Sequence, residues 1–460
     1  MVMKGEKRPL RKQPIPLFCV LLLLLGPLLP QRAVAQQLQF IRDAEIENTI
    51  RIYATPLFQA AGLSPQGIRL YLVNDRALNA FVAGGLNMFI NTGLLIETRD
   101  PGEVIGVIAH ETGHIAGGHL ARSGAALEQT QAALIATYLL SIGAALATGE
   151  SAVGAAVLSS GQDVALRGLL QYTRTQENSA DQAAVNLLQA TQQSPAGLLR
   201  FMESLSGQEV LLSNNQDPYL RTHPLTQDRI GFLQQALRES PYADKPVDPE
   251  LVKLHDRMRA KLIGFLNPLS QVLRSYPESD TSLPARYARA IAHYRVPDLD
   301  KALGEIEALL QEKPADPYFR ELKGQMLLEH GRVAESLPEY EAAVRTLPDS
   351  AQIRQALAKA QIALDTREMD RAALENLTVT LAEEPNNSAA WRLSAVAHGR
   401  LGDQALTALS LAESALIRGK YQEARDRAEH AAGLLSENTA PWLRAQDLKN
   451  EAERRLKQDD

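Results

Sequence analysis

The stretch that decides the fold of this 460-residue chain is HETGHIAGGH, residues 110–119. It contains H-E-x-x-H, a spacing that places two histidines one helical turn apart on one face, with a glutamate beside them. Two imidazoles so placed can bind one metal ion, and the glutamate can act as a general base. The pattern predicts a helix with a zinc site that takes a third ligand from elsewhere in the chain.

The residues before this stretch favour a buried helix. Asp100-Pro101-Gly102-Glu103 places a proline and an acid in a first helical turn, and an aliphatic run follows. Proteases with H-E-x-x-H-x-x-G-x-x-H have a third histidine ten residues after the first, but that position is Leu120 here and His119 comes one residue early. His119 is therefore interpreted as a residue of the helix end, with a metal role as the alternative. Two hydrogen-bonded histidines on an ordinary core helix remain the other interpretation of H-E-x-x-H.

Glu177 and Asp181 form a second candidate pair, at the start of a helix that the apolar residues between 183 and 188 predict. Because residues four apart share a helix face, one carboxylate can bind the metal while the other orients a ligating histidine through its second ring nitrogen. Taken alone, such a pair is usually a solvated acidic face. Its significance here comes from H-E-x-x-H.

Two further segments are candidates for contact with substrate. Residues 78–91 predict a β-hairpin with a Gly-Gly turn, and its edge at Asn79-Ala80-Phe81 can accept an extended peptide by strand addition. Thr222-His223-Pro224, taken alone, predicts only a turn before a helix.

Together these motifs resemble a known family, the BepA-like periplasmic zinc metalloproteases. Its members are gluzincins related to HtpX and to the CAAX-prenyl-type peptidases, with tetratricopeptide repeats behind the protease domain. The resemblance covers residues 43–230 and rests on four features: Asn79-Ala80-Phe81 with Gly84-Gly85 and Gly93-Leu94-Leu95, His110-Glu111-x-x-His114, Glu177-x-x-Ala180-Asp181, and Thr222-His223-Pro224 with Arg229. Ser179 and Gln182 depart from the family pattern, a difference that concerns peripheral hydrogen bonds and leaves the ligand set intact.

The resemblance implies a role for each of these residues. His110, His114 and Glu177 would bind one zinc ion per chain, and Asp181 would orient a ligand. Glu111 would act as general base on a zinc-bound water. His223 would be a fourth ligand in a latent state or, with Arg229, a stabiliser of the oxyanion.

The N-terminus predicts export to the periplasm. A basic segment, an apolar run over 17–29 and Ala33-Val34-Ala35 together are typical of a cleavable signal peptide over residues 1–35. The single cysteine, Cys19, lies within it, so the mature chain makes no disulfide. The formal net charge is −6, and −11 after removal of the leader, which argues against nucleic acid as a partner.

The remaining sequence predicts an α+β chain with two domains. A mostly helical zinc protease domain with a small antiparallel sheet is expected over 36–238, and a proline-rich linker with connecting helices over 239–282. An all-α tetratricopeptide-repeat solenoid is expected over 283–456, because Pro314 and Pro348 are 34 residues apart and small residues recur at the same interval. Residues 129–160, which are poor in charge, are interpreted as an apolar helical hairpin that packs on the core or makes peripheral contact with a membrane surface, with a membrane span as the alternative that their length would permit.

Two functions follow from these motifs. The first is a zinc endopeptidase that hydrolyses misfolded or stalled outer-membrane proteins, with the repeats binding the substrate or the assembly machinery. The second is a chaperone or adaptor for envelope protein assembly, in which the repeats dominate and the protease site is largely latent.

Overall fold

The computed structural model describes residues 40–119, 174–206, 218–296 and 298–459. The predicted signal peptide and the predicted apolar hairpin at 129–160 lie outside these residues. Among the described helices, none combines the length and the apolar character that crossing a membrane requires.

A four-stranded sheet lies at the start of the described chain. Its strands are β1 (Phe40–Ile41), β2 (Arg69–Val73), β3 (Ala80–Ala83) and β4 (Asn87–Asn91), in the order β1-β2-β4-β3. The predicted hairpin is β3 and β4, and its turn uses Gly84 and Gly85 at φ values of 55° and 87°, which only glycine adopts without strain. The sheet is mixed and not purely antiparallel as predicted, because β4 returns between β3 and β2 and therefore pairs parallel with β2.

Seven helices of the described chain accompany this sheet. They are α1 (Ala44–Ala60), α2 (Thr92–Glu97), α3 (Pro101–Ala116), α4 (Arg174–Ala190), α5 (Ala196–Ser206), α6 (Pro218–Thr222) and α7 (Gln227–Glu239). Helix α3 begins where predicted, since the Asp100 carboxylate accepts the Gly102 N–H at 2.6 Å. Aliphatic residues of α3, from Val104 to Ile108, are buried in one core with those of α1, α4 and α5.

Two glycines allow the neighbours of α3 to approach closely. A Cβ at Gly106 would lie 2.7 Å from the Leu198 backbone nitrogen on α5, and a Cβ at Gly113 would lie 2.9 Å from the Ala180 carbonyl oxygen on α4. Helix α4 is therefore held against the part of α3 that carries H-E-x-x-H.

The second half of the chain is an all-α solenoid. A non-helical, proline-containing segment, 240–248, leads to α8 (Pro249–Leu266) and α9 (Leu269–Ser275). The following helices are α10 (Leu283–Arg295), α11 (Leu299–Glu312), α12 (Pro317–Glu329), α13 (Val333–Thr346), α14 (Ala351–Ala363), α15 (Arg367–Glu383), α16 (Ser388–Leu401), α17 (Gln404–Ile417), α18 (Tyr421–Leu434) and α19 (Ala440–Asp459). Helices α10, α12 and α14 begin 34 residues apart, and α16 begins 37 residues after α14, as the predicted repeat with one longer unit requires.

A cluster of charged side chains joins the two halves. Lys261 on α8 is 2% exposed, and its ammonium lies 2.7 Å from Asp43 Oδ2 and 3.1 Å from Glu45 Oε2. The Tyr287 hydroxyl on α10 donates to Glu45 Oε2 at 2.7 Å, and Arg257 on α8 pairs with Glu45 as well. These contacts hold the start of α1 against the first helices of the solenoid.

Contacts of the residues at and just before the start of α1 extend along the repeats. Arg42 pairs with Glu384 after α15, and the Gln352 amide on α14 donates to Glu47 Oε2 at 2.8 Å. We call residues 42–47 the clasped segment, because side chains of α8, α10 and α14 and of Glu384, which follows α15, contact it.

Candidate metal centre

Helices α3 and α4 bring three of the predicted ligands together. His110 Nε2 and His114 Nε2 are 3.1 Å apart on α3. Glu177 on α4 places Oε2 3.4 Å from His110 Nε2 and Oε1 3.4 Å from His114 Nε2. With His223, these residues offer four ligand atoms within 4.8 Å of one another, and all four side chains are fully buried.

These distances suit a tetrahedral ion. Ligand atoms bound at zinc distances in a tetrahedron lie roughly 3.3–3.6 Å apart, close to the 3.1 and 3.4 Å found here. Three imidazoles and a carboxylate are ligands that zinc and similar divalent metals accept. The residues therefore fit a metal ion.

His223 lies between the candidate ligands and the candidate base. Its Nδ1 is 3.1 Å from Glu177 Oε1 and its Nε2 is 3.4 Å from Glu111 Oε1. The ring stacks on Tyr219 with centroids 4.5 Å apart and planes 22° apart, and the His223 N–H donates to the Tyr219 carbonyl at 2.7 Å. The last turn of α6 thus fixes the position of the imidazole.

Asp181 and Arg229 brace the opposite side of the group. Asp181 Oδ1 lies 2.9 Å from His110 Nδ1, the predicted orienting contact. Arg229, at the start of α7, donates Nε and Nη2 to the Asp181 carboxylate at 2.6 and 2.9 Å, and its Nη1 lies 2.7 Å from Glu177 Oε2. Because both carboxylates and the Pro224 carbonyl engage this guanidinium, its geometry favours orienting the ligands over contacting an oxyanion.

The protonation properties of the two histidines on α3 differ. Burial alone lowers the pKa of His110, but its contacts with Asp181 and Glu177 outweigh burial and raise the pKa to about 9. Burial lowers the pKa of His114 to about 3, so this imidazole is neutral and has a lone pair for a metal. The carboxylates beside His110 thus make its ring the more basic of the two.

The two glutamates of the site also differ. Burial raises the pKa of Glu111, and both of its carboxylate oxygens are buried without a hydrogen-bond donor in the described part of the chain. Burial alone would raise the pKa of Glu177 too, but the surrounding histidines lower it well below its ordinary value. Glu177 is therefore suited to bind a cation, and Glu111 to exchange a proton.

The remaining predicted residues are the candidate substrate strand and His119. Strand β3 is the edge of the described sheet and begins at Ala80, with Asn79 before it and Phe81 stacked on Phe89 at 4.8 Å. His119 is outside the four-residue group, and its Nδ1 lies 2.9 Å from Nδ1 of His114.

Sequence reasoning did not identify Tyr219 or Gln176. Tyr219 precedes His223 by four residues, the helical spacing that could have suggested a contact. Gln176 donates from its side chain to the His119 carbonyl at 3.1 Å, a contact across 57 residues that no local pattern predicts.

The site has a buried H-E-x-x-H helix that faces a glutamate and a third histidine. This arrangement is typical of metallopeptidases.

Comparison with known proteins agrees with this class. Residues 41–237 match peptidase family M48. The metalloprotease LoiP of Escherichia coli (strain K12) is 32% identical over 198 residues, which cover 42% of this chain and 72% of LoiP. The chain belongs to peptidase family M48, and it is a metallopeptidase.

Two relatives that match a longer part of the chain have the same name, beta-barrel assembly-enhancing protease. The beta-barrel assembly-enhancing protease of Yersinia pestis is 28% identical over 380 residues, which cover 80% of this chain and 74% of that protein. Its namesake in Escherichia coli (strain K12) is 24% identical over 412 residues, with coverages of 84% and 82%. The similarity to these relatives therefore extends beyond the protease domain into the repeats.

Proposed function

We propose that this chain is a zinc-dependent endopeptidase of the cell envelope that hydrolyses misfolded or stalled outer-membrane proteins. The observation that carries the proposal is the buried group of His110, His114, Glu177 and His223 beside the Glu111 carboxylate. A zinc ion held by His110, His114 and Glu177 would polarise the scissile carbonyl and acidify an attacking water.

Glu111 is the candidate general base. Its raised pKa and the lack of a hydrogen-bond donor in the described part of the chain leave its carboxylate available to take a proton from the attacking water. The same carboxyl group would then give the proton to the leaving amine. Arg229 and Asp181 would keep His110 and Glu177 in position throughout the reaction.

Asn79-Ala80-Phe81 is the candidate substrate strand. It lies at the edge strand β3, and the Asn79 side-chain oxygen is buried without a hydrogen-bond partner among the described residues. A peptide added to this edge would supply a backbone N–H to such an acceptor. Selectivity is then expected to depend on an extended backbone more than on particular side chains.

The compartment and the partners are also proposals. The relatives named beta-barrel assembly-enhancing protease support a role in outer-membrane assembly, and the N-terminal sequence supports the periplasm. The solenoid supports binding of a protein partner, since stacked repeats expose extended surfaces.

One observation favours the second candidate function, a chaperone or adaptor with a latent protease site. His223 contacts Glu111 as well as Glu177, and all three side chains are fully buried. In this arrangement the imidazole lies where a substrate carbonyl and a water would have to enter.

Zinc content and casein cleavage of the purified mature chain test the proposal. We expect one zinc per chain, and Glu111→Gln should keep the metal and lose cleavage by at least about 100-fold. Glu103→Gln, the same change two turns earlier on α3, is the control and should cleave like wild type. Unchanged cleavage by Glu111→Gln would overturn the assignment of the base.

His223→Ala separates the two candidate functions. Faster cleavage by this variant would support a protease that His223 holds latent. The chaperone or adaptor would be favoured if neither the wild type nor His223→Ala cleaves casein and if Glu111→Gln does not alter the envelope phenotype.

A further inference from the structure

The two histidines of H-E-x-x-H have different partners on their outer nitrogens. His110 Nδ1 lies 2.9 Å from a carboxylate oxygen of Asp181, the usual type of partner for a ligating histidine. His114 Nδ1 lies 2.9 Å from a second imidazole nitrogen, His119 Nδ1, and both rings are buried. The outer nitrogen of His110 thus contacts a carboxylate, whereas that of His114 contacts an imidazole.

The end of helix α3 is built to bring His119 back to His114. The His119 N–H donates to the His114 carbonyl at 3.2 Å, and the Gly118 N–H donates to the Ile115 carbonyl at 3.0 Å. These are the two bonds of a Schellman motif, which requires a left-handed residue where Gly118 has a φ of 60°. The backbone and the rings of residues 114 and 119 are thus paired together.

Gly117 and Gln176 complete the placement of His119. A Cβ at Gly117 would meet the His119 ring, with Cδ2 and Cε1 each 2.9 Å away and Nε2 nearer still. The Gln176 amide donates to the His119 carbonyl and joins the helix end to α4, the helix that carries Glu177. The imidazole therefore has a defined position, packed on a residue that has no side chain.

We propose that His119 is a positioning residue for the metal ligand His114. The His114 Nε2 faces His110 Nε2 and Glu177, and a histidine that binds a metal through Nε2 carries its proton on Nδ1. His114 Nδ1–H then donates to His119 Nδ1, which holds the ring in the tautomer and orientation that present Nε2 to the metal. The inference rests on the proposed metal site and assigns to His119 a contact with a ligand, not with the ion.

The affinity of the mature chain for zinc, measured by competition with a chromophoric chelator, tests this role. His119→Leu removes the acceptor, and we expect it to raise the zinc Kd about 10- to 100-fold. His119→Asn can place its side-chain oxygen where Nδ1 was and should bind zinc nearly as wild type does. His119→Gln reaches the Nε2 position instead and should not restore the affinity.

Two further readouts separate positioning from folding. With Co²⁺ in place of zinc, the visible spectrum should change in His119→Leu and return in His119→Asn. The unfolding midpoint of each metal-free variant reports any loss of folded chain. His430→Leu, at an exposed position on α18, is the matched control. If His119→Leu does not fold, the zinc Kd of His119→Asn is compared with that of His119→Gln instead.

Zinc binding by His119→Leu as tight as that of wild type would overturn the inference, as would equal weakening in the Leu and Asn variants. Failure of the proposed metal site looks different. In that case wild type itself would bind no zinc, or His114→Ala would bind as much as wild type.

Discussion

Arg229 shows how one residue can determine the geometry of the whole site. It is 1% exposed and is the cation that pairs with both Asp181 and Glu177. Without it, two carboxylates buried near each other would lose a hydrogen-bonded partner, and a buried charge left alone is costly.

We therefore predict that Arg229→Met lowers the free energy of unfolding of the metal-free chain by about 3–5 kcal/mol. Urea unfolding followed by circular dichroism measures this difference. Arg238→Met, an exposed position on the same helix, serves as control and should change stability by no more than about 0.5 kcal/mol. Similar losses in both variants would contradict the role assigned to Arg229.

Glu321 on α12 gives a prediction about pH. Burial raises the pKa of its carboxyl group from 4.5 to about 7 in the folded chain. As pH rises from 4.5 to 7, the unfolded chain loses this proton before the folded chain does, so this group reduces stability over that window and above it.

Glu321→Gln removes this titration. We expect the variant to be more stable than wild type at pH 8, by on the order of 1 kcal/mol, and to lose the advantage by pH 4.5. Thermal unfolding across this pH range checks it. A difference from wild type that is the same at pH 4.5 and pH 8 would mean that another property of the side chain is responsible.

At the scale of residues, the sequence was sufficient to predict which side chains lie together when they follow a local spacing. His110, His114, Glu177 and Asp181 are paired four apart on helices, so the pattern alone brings each pair onto one face. The contact of Arg229 with two carboxylates about fifty residues earlier depends on how α7 packs on α4, and no spacing encodes that packing.

Among the elements, α3 is held in place by neighbours that approach its glycines. Gly113 lies between the two histidines of H-E-x-x-H, where the Ala180 carbonyl and the Ala183 methyl leave no room for a side chain. Helix α4 carries Glu177 three residues before Ala180, so the helix spacing sets the distance from Glu177 to both histidines.

Gly113→Ala should move α4 outward. We expect it to lower stability by about 1–3 kcal/mol and to weaken zinc binding, because Glu177 is displaced from His110 and His114. Gly231→Ala on α7 is the matched control: a Cβ there meets nothing within 4 Å, so helix propensity should make the variant slightly more stable. Both effects are measured by unfolding and by chelator competition, and unchanged zinc affinity in Gly113→Ala would contradict the account.

The elements also show where sequence prediction stopped. The hairpin of β3 and β4 was predictable from Gly84-Gly85, and the helix starts of the repeats from their 34-residue interval. The parallel pairing of β2 with β4 was not predictable, because it requires β4 to lie between β2 and β3 in the sheet. A hairpin pattern contains no information on which third strand will pair with it.

For the molecule as a whole, the clasped segment connects the protease to the repeats. Lys261 is buried with Asp43 and Glu45, and burial alone would lower its pKa, but these carboxylates and Tyr287 raise it well above the ordinary value. The ammonium is therefore charged in the folded chain. Its charge compensates those of the two carboxylates beside it.

Lys261→Met is predicted to lower the free energy of unfolding by about 3–5 kcal/mol, since it removes the ammonium that pairs with Asp43 and leaves Arg257 as the cation paired with the buried Glu45. Lys253→Met on the same helix is the control, because the Lys253 side chain is 69% exposed and its ion pair with Glu250 contributes at most about 1 kcal/mol. Chemical denaturation of the full mature chain measures both. Equal effects at the two positions would mean that the cluster does not stabilise the junction.

The clasped segment also has a consequence for the order of folding. Its partners are distant in sequence, with separations of 242 residues for Glu45 and Tyr287, 305 for Glu47 and Gln352, and 342 for Arg42 and Glu384. Chains are made and cross membranes from one end, and contacts between remote residues form slowly because a long loop must close first. The start of α1 is thus among the first parts of the described chain to emerge and among the last to reach its native contacts, so a nascent chain truncated before α15 would leave Arg42 without Glu384.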